Sequence, residues 1–169
     1  QNGYRTGHVG KWDVGLTSES YGFDFVNQTR GNHRSVYDRT KNFATADDKK
    51  YPLSKEKYEP VSDKKPNGIS YPHDELTESA IQFMDESKEK PFFLTFWNYS
   101  VHYPIEAPED LIEKYKKRGV ENPAYAGMIE GMDRSIGRVL KSLDDLGVAD
   151  NTLVIFTSDN GSLFTNGPL

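Results

Sequence analysis

Two unbroken apolar runs, each preceded by an amphipathic helical pattern, constrain the fold of this chain most strongly. The runs cover residues 92–97 (FFLTFW) and 152–157 (TLVIFT). Continuous apolar strands are typical of parallel sheets that are buried on both faces. Apolar residues at helical spacing predict helices over residues 74–88, 108–115 and 123–146. We therefore predict an α/β layer fold with a mainly parallel sheet.

Composition excludes several classes of protein. The 169 residues correspond to about one domain, and the formal net charge of −5 argues against a general affinity for nucleic acid. No apolar run approaches the length of a transmembrane helix. The absence of cysteine excludes a disulfide framework, a thiolate zinc site and a cysteine nucleophile within this stretch. Residues 27–68 carry 16 charges and only four Leu, Ile, Val or Phe side chains, so we predict a long variable loop there.

Polar residues follow each predicted strand, where the carboxyl ends of parallel strands form the usual ligand-binding rim. Asp159 and Asn160 come directly after the second run, and adjacent oxygen ligands of this kind suit Ca²⁺ or Mg²⁺. The same residues followed by Gly161 also suit an ordinary turn. Two ligands fall short of the roughly six to eight oxygens that calcium prefers, so the others would come from elsewhere.

Two basic side chains are candidates for chemistry on an anionic ester. His102 follows the first run, where it either donates a proton to a leaving group or only hydrogen-bonds to its loop. Lys11 does not belong to a phosphate-binding loop, because Trp12 stands where that motif needs Ser or Thr. It is either a compact cation for an anionic ester or a solvated surface lysine. The other histidines show no zinc-ligand spacing.

Three segments in sequence order resemble the signatures of sulfatases, members of the alkaline-phosphatase superfamily. Residues 3–15 (GYRTGHVGKWDVG) resemble the pattern GY-x-T-G-x-x-GKWHLG, residues 91–104 resemble a strand that ends in His-x-Pro, and residues 128–161 resemble the helix and strand that end in Ser-Asp-Asn-Gly. The resemblance implies a three-layer α/β/α fold of the alkaline-phosphatase type, incomplete here. Residues 1–169 would then be part of a sulfatase catalytic domain.

The resemblance also implies a reaction, hydrolysis of sulfate esters of the arylsulfatase type, on a sulfated small molecule or glycan. By this resemblance Lys11 would bind the sulfate group, and His102 would contact sulfate and assist the departing alcohol oxygen. Asp159 and Asn160 would be two of the ligands of Ca²⁺. Family members are periplasmic, secreted or lysosomal, so the resemblance implies export. We expect substrate specificity to lie in the variable loop near residues 31–34.

The chain departs from the family pattern in two ways. Asp13 stands where the family has histidine, which removes a hydrogen-bond donor and adds negative charge near a negative substrate. The family's nucleophile is a formylglycine made in a Cys/Ser-x-Pro-x-Arg motif upstream of residue 1. We therefore expect an internal fragment that does not turn over substrate alone. Two alternatives remain: a phosphodiester or phosphonate ester hydrolase of the same superfamily, and a non-catalytic relative that binds sulfated glycans.

Overall fold

A three-stranded parallel sheet lies at the centre of the computed structural model, which describes residues 3–12, 18–30, 72–102, 105 and 107–162. Strands β1 (Arg5–Trp12), β2 (Phe25–Arg30) and β3 (Phe92–Trp97) pair in the order β2-β1-β3. In this register Gly10 of β1 lies opposite Trp97 of β3. The predicted α/β class and parallel sheet are therefore confirmed.

Three helices follow the boundaries that the sequence predicts to within two or three residues. They are α1 (Pro72–Ser87), α2 (Glu109–Lys117) and α3 (Pro123–Asp145), and single 3₁₀ turns cover Ser18–Tyr21 and Ala149–Asn151. Helix α3 begins with Pro123 in its first turn and is followed by Gly147 at φ +69°, the left-handed conformation expected after a helix end. Asn122, a residue type that favours helix N-caps, occupies the N-cap of α3, but its side chain makes no capping hydrogen bond.

The two faces of the sheet carry different side chains because neighbouring residues of a strand point to opposite sides. Val9 of β1 packs with Leu76 and Ala80 of α1, and Val139 of α3 lies against the same cluster. Phe83 of α1 continues this core and is fully buried. Burial of each such side chain contributes about 1.5–3 kcal/mol to folding. The opposite face of β1 carries Thr6, His8, Gly10 and Trp12.

A second apolar cluster lies between α2, α3 and the segment that leads into α2. Its buried members are Ile105, Ala107, Ile112, Ala124 and Met128. Gly127 lets α3 approach closely, since a β-carbon there would lie 2.9 Å from the β-carbon of Ala107. Val101 and Tyr125 pack against the outside of this cluster. The cluster thus joins the chain that leaves β3 to the beginning of α3.

Three predictions need correction. Strand β2 covers residues that were assigned to the variable loop from residue 27 onward; residues 31–71 lie outside the described residues. The apolar run 152–157 forms no strand among the described residues, where no neighbour pairs with it, and Leu153, Ile155 and Phe156 are 76–86% exposed. In α3, the helical spacing of the apolar residues predicts Ile129 and Leu140 as core residues, but about 40% of each side chain is exposed.

Candidate active site

Lys11 lies at the carboxyl end of β1, one residue before the strand ends. The preceding residue, Gly10, has φ +114°, and a β-carbon built there would overlap the backbone carbonyl of Trp97. Only glycine combines this backbone conformation with so close an approach. The glycine therefore brings the carboxyl ends of β1 and β3 together beside Lys11.

His102 lies in a tight turn that follows β3. The side-chain oxygen of Asn98 accepts the backbone N–H of Ser100 at 3.0 Å, which is an Asx turn. The backbone N–H of His102 then donates to the carbonyl oxygen of Tyr99 at 2.9 Å. These bonds fold residues 98–102 back at the end of the strand. Because β1 and β3 are adjacent and parallel, Lys11 and His102 belong to the same edge of the sheet.

Asp159 and Asn160 lie in an exposed bend beyond α3. The Ser158 hydroxyl donates to the carbonyl oxygen of Asn160 at 2.6 Å, which shapes the bend. Two residues further on, the hydroxyls of Ser162 and Tyr125 share a hydrogen bond of 3.0 Å.

Tyr125 hydrogen-bonds to the segment after this bend and packs against the apolar cluster between α2 and α3. Tyr125 and Val101 pack against the same apolar cluster, so the segments before His102 and after Asn160 both reach the beginning of α3. Leu143 and Leu146, at the end of α3, pack in the same cluster as Phe92 at the beginning of β3, so the first turns of α3 lie towards the side of the sheet where β3 ends. The structure thus brings both predicted segments to the side of the molecule where Lys11 lies.

The bend carries polar side chains of the type that can bind a metal ion. The side chains of Asp159 and Asn160 are exposed and present adjacent hard oxygen donors, the ligand type that calcium takes. Across the described ranges no group of three or more acidic or histidine side chains could hold a metal ion. The two donors of the bend fit a hard divalent cation in kind, and they are fewer than the roughly six to eight oxygens that calcium prefers.

A charged network fixes α2 against α3 next to the same cluster. The Lys114 ammonium donates to both carboxylate oxygens of Glu130 at 2.7 and 2.6 Å, and Arg134 donates to one of them at 2.7 Å. The hydrogen bond from Lys114 is the main cause that lowers the pKa of Glu130 from 4.5 to about 2; burial opposes it, and hydrogen bonds from Tyr115 and Arg134 assist. The spacing of Glu130 and Arg134, four residues apart, is typical of an exposed ion pair on a helix, but only 16% of the Glu130 side chain is exposed.

The environment of His8 is not evident from the sequence, in which this residue shows only that it lacks zinc-ligand spacing. The His8 side chain is fully buried on the face of the sheet opposite α1, among aromatic rings. Strand alternation with Trp12 would have placed both residues on one face, had residues 5–12 been recognised as a strand. Asp13 and the predicted specificity segment 31–34 lie outside the described residues.

No helix within the part of the chain that the structure describes has the length and apolar character needed to cross a membrane.

The family profile named Sulfatase matches residues 1–169. An uncharacterized sulfatase of Schizosaccharomyces pombe is 27% identical over 95% of this chain, which spans 39% of that protein. The N-acetylgalactosamine-6-sulfatase of Mus musculus is 27% identical over 98% of this chain, which spans 32% of that protein. The human steryl-sulfatase is 38% identical over 52% of the chain, which corresponds to 14% of that protein.

Solved structures of similar fold agree with this assignment. A structure described as Ps i-CgsB in complex with k-i-k-neocarrahexaose aligns with a TM-score of 0.65 at 24% identity, and covers 89% of this chain and 36% of that one. A second structure, whose description concerns the metabolism of multiple glycosaminoglycans by Bacteroides thetaiotaomicron, aligns with a TM-score of 0.64 at 25% identity. The alignment covers 94% of this chain and 43% of that one. The chain spans about two fifths of the first of these relatives. Over its whole length, the chain belongs to the sulfatase family.

Proposed function

We propose that this chain contributes part of an active site that hydrolyses sulfate esters. The observation that carries the proposal is the placement of Lys11 and His102 at the ends of two adjacent parallel strands. Ligands of open α/β sheets bind outside the carboxyl ends of the strands. A cation and a proton donor at that edge suit the cleavage of an anionic ester, and membership of the sulfatase family supports sulfate as the anion.

Lys11 would bind the sulfate group of the substrate. Its ammonium is a compact charge on a flexible stem, suited to an anion whose charge is spread over several oxygens. The close approach at Gly10 fixes the backbone from which this side chain extends. A cation held in position before the reaction stabilises charge that develops in the transition state without reorganising solvent.

His102 would act on the leaving alcohol. As the bond between sulfur and the ester oxygen breaks, negative charge develops on that oxygen, and a proton from the imidazole neutralises it. The turn over residues 98–102 holds the backbone of His102 at the end of β3. The nucleophile that accepts the sulfuryl group, a formylglycine by resemblance, is proposed to lie outside these residues.

Asp159 and Asn160 would hold a calcium ion together with ligands from elsewhere. A calcium ion held there would supply positive charge that stabilises the anionic ester. The exposed oxygen donors of the bend and its link to α3 through Tyr125 support this assignment. The hydrogen bond of Ser158 shapes the bend and would orient these oxygen donors. The bend lies near the beginning of α3, as does the turn that carries His102.

The substrate is proposed to be a sulfated glycan. Relatives include N-acetylgalactosamine-6-sulfatases, and one solved structure contains a neocarrahexaose. Sulfated glycans occur outside the cytoplasm, so the protein is proposed to act in the periplasm, in the lysosome or after secretion. Asp13 favours a second candidate within the superfamily, hydrolysis of a phosphodiester or a phosphonate ester. A carboxylate in place of a cationic or hydrogen-bond-donating side chain changes the contacts to the anion.

A substrate panel separates the candidate functions. The protein expressed from its complete open reading frame is assayed with 4-methylumbelliferyl sulfate, bis(4-nitrophenyl) phosphate and a phenylphosphonate ester, with Ca²⁺ and with EDTA. We expect release of the fluorophore from the sulfate ester, lost in EDTA and in His102→Asn. Faster cleavage of the phosphorus esters would favour the phosphoryl alternative. Binding of a sulfated glycan that survives EDTA, without hydrolysis of any ester, would favour a non-catalytic relative.

A further inference from the structure

His8 is a fully buried histidine in the middle of the sheet. Its ring lies 4.7 Å from Trp12, 5.1 Å from Trp97 and 5.7 Å from Phe23, measured between ring centroids. The two indoles stack on one another with an interplanar angle of 15°. Aromatic rings therefore surround most of the imidazole, and Trp12 and Trp97 both lie at the carboxyl edge of the sheet.

One hydrogen bond holds the His8 ring across the two strands. Nδ1 of His8 lies 2.8 Å from the Thr95 hydroxyl oxygen, and the Thr95 hydroxyl donates to the carbonyl of Gly7 at 3.4 Å. In this network the N–H at Nδ1 of His8 donates to the Thr95 hydroxyl oxygen, and Nε2 carries a lone pair instead of a hydrogen. Nε2 is buried and has no hydrogen-bond partner among the described residues. The neutral ring is therefore satisfied at one nitrogen only.

The surroundings disfavour the charged form of this ring. Burial lowers the pKa of His8 below its ordinary value of 6.5; the backbone carbonyls of Lys11 and Gly10 and the carboxylate of Glu19 oppose this to a smaller extent. Strand β3 contains no charged residue. The other charged or titratable side chains on the elements around the ring are those of Lys11, Tyr21, Arg5 and Asp24. Arg5 forms an ion pair with Glu86, and the Asp24 carboxylate accepts hydrogen bonds from Thr6.

The position of His8 couples its protonation to the candidate active site. Trp12 directly follows Lys11, and Trp97 directly precedes the turn that carries His102. Protonation would place a positive charge on a buried ring whose Nε2 has no hydrogen-bond partner among the described residues, and the carbonyls of Lys11 and Gly10 offset this cost only in part. Opening of the aromatic cluster would relieve the remaining cost. Opening would displace the ends of both strands.

We propose that His8 is a positioning residue: its neutral ring holds the carboxyl ends of β1 and β3 together, and its protonation in acid loosens the segments that carry Lys11 and His102. This inference rests on the proposed function for its consequence in catalysis. The switch itself concerns only contacts within this chain, so it is testable whether or not the protein hydrolyses sulfate esters.

Tryptophan fluorescence gives a direct test, since the sequence contains two tryptophans and both contact His8. A protonated imidazole in contact with an indole quenches its emission. In the 169-residue chain we expect a reversible loss of emission between pH 7.5 and 4.5, with a midpoint below 6.5. The inflection should be absent from His8→Gln and retained in His102→Gln. A flat titration of the wild-type chain, or the same inflection in His8→Gln, would overturn the proposal.

Hydrogen exchange tests the positioning role with variants that keep the imidazole. Thr95→Val removes the bond to Nδ1, and we expect amide exchange of residues 98–102 at pH 7.5 to become at least fivefold faster. Thr95→Ser restores the hydroxyl and should return exchange to the wild-type rate. Wild-type exchange in Thr95→Val would contradict the proposal even if His8→Gln does not fold. Failure of the proposed function would appear separately: the protein would release no sulfate, while the fluorescence titration and the hydrogen exchange would still give the results expected here.

Discussion

The hydroxyls of Tyr125 and Ser162 lie 3.0 Å apart, and this bond connects the bend at Asp159 and Asn160 to the first turns of α3. Tyr125 also packs against the cluster that supports Val101, the residue before His102. One side chain thus contacts the segment after Asn160 and the apolar cluster against which the residue before His102 also packs. The bond is exposed, so its contribution to folding is small and its effect should be local.

Tyr125→Phe should loosen the bend without unfolding the protein. Removal of an exposed hydrogen bond costs about 0.5–1.5 kcal/mol at most. We expect faster hydrogen exchange of residues 158–162, with the thermal unfolding midpoint changed by a few degrees at most. Tyr4→Phe is the matched control, because Tyr4 is 52% exposed and should leave this exchange unchanged. Equal exchange in Tyr125→Phe and the wild-type chain would show that the bond does not hold the bend.

Gly10→Ala should destabilise the sheet severely. The alanine β-carbon would overlap the carbonyl of Trp97, and the residue would be held at φ +114°. Strain and overlap of this kind cost more than about 2 kcal/mol together. Gly137→Ala is the control: Gly137 lies in α3 with open space around it, and alanine there should stabilise the helix by up to about 1 kcal/mol. Urea unfolding of both variants measures the difference, and a Gly10→Ala chain as stable as the wild type would contradict the structure.

Glu130 should make the free energy of unfolding depend on pH in the acidic range. Its pKa falls from 4.5 to about 2 on folding, so its ionised form stabilises the folded chain above pH 4.5. This contribution is lost as the pH falls from 4.5 towards 2, because the carboxylate becomes protonated. Glu130→Gln should cost about 1–2 kcal/mol at pH 7 and flatten the pH dependence in this range.

The control for Glu130 is Glu113→Gln, which removes an exposed pair with Lys116. Exposed pairs of this kind contribute less than about 1 kcal/mol. Urea unfolding at pH 7, 4.5 and 3 measures both variants. If Glu130→Gln lost stability on acidification as steeply as the wild-type chain, the network with Lys114 would not carry the effect.

The exposed run at residues 153–156 should make the 169-residue chain self-associate. Four consecutive apolar side chains are 52–86% exposed, and exposed apolar patches promote association. We expect the apparent mass in light scattering to rise with concentration, and Ile155→Lys to reduce this rise. Val120→Lys is the control, since Val120 is an isolated side chain with 38% exposure. A monomer over the whole range of concentration would refute this prediction.

Local patterns in the sequence predicted the helices and β3 well, because each carries its own signal. Helix α3 shows an apolar stripe, a proline in its first turn and a glycine after its end, and these act within a few residues. Strand β3 is a continuous apolar run. Strand β1 gave no such signal: it contains glycines, a lysine and a histidine, and its partners lie far away along the chain.

The run 152–157 shows the opposite limit of sequence analysis. Its composition is that of a buried strand, but a strand forms only where neighbours supply hydrogen bonds, and none does so among the described residues. Likewise, the sequence indicated that Lys11, His102, Asp159 and Asn160 share one rim. It could not reveal that Tyr125 hydrogen-bonds to Ser162 and packs on the cluster that Val101 also contacts, because these contacts depend on how α3 packs.

The most direct test of the central claim is the release of inorganic sulfate from a sulfate ester by the protein expressed from its complete open reading frame. Ion chromatography would compare the wild type with Lys11→Gln and with Lys88→Gln, a control at an exposed lysine paired with Asp85. We predict sulfate release by the wild type and by Lys88→Gln, and at least a roughly 100-fold lower kcat/KM in Lys11→Gln, typical of a lost transition-state contact. No sulfate from the wild type, or an undiminished rate in Lys11→Gln, would contradict a sulfate-ester site at the end of β1.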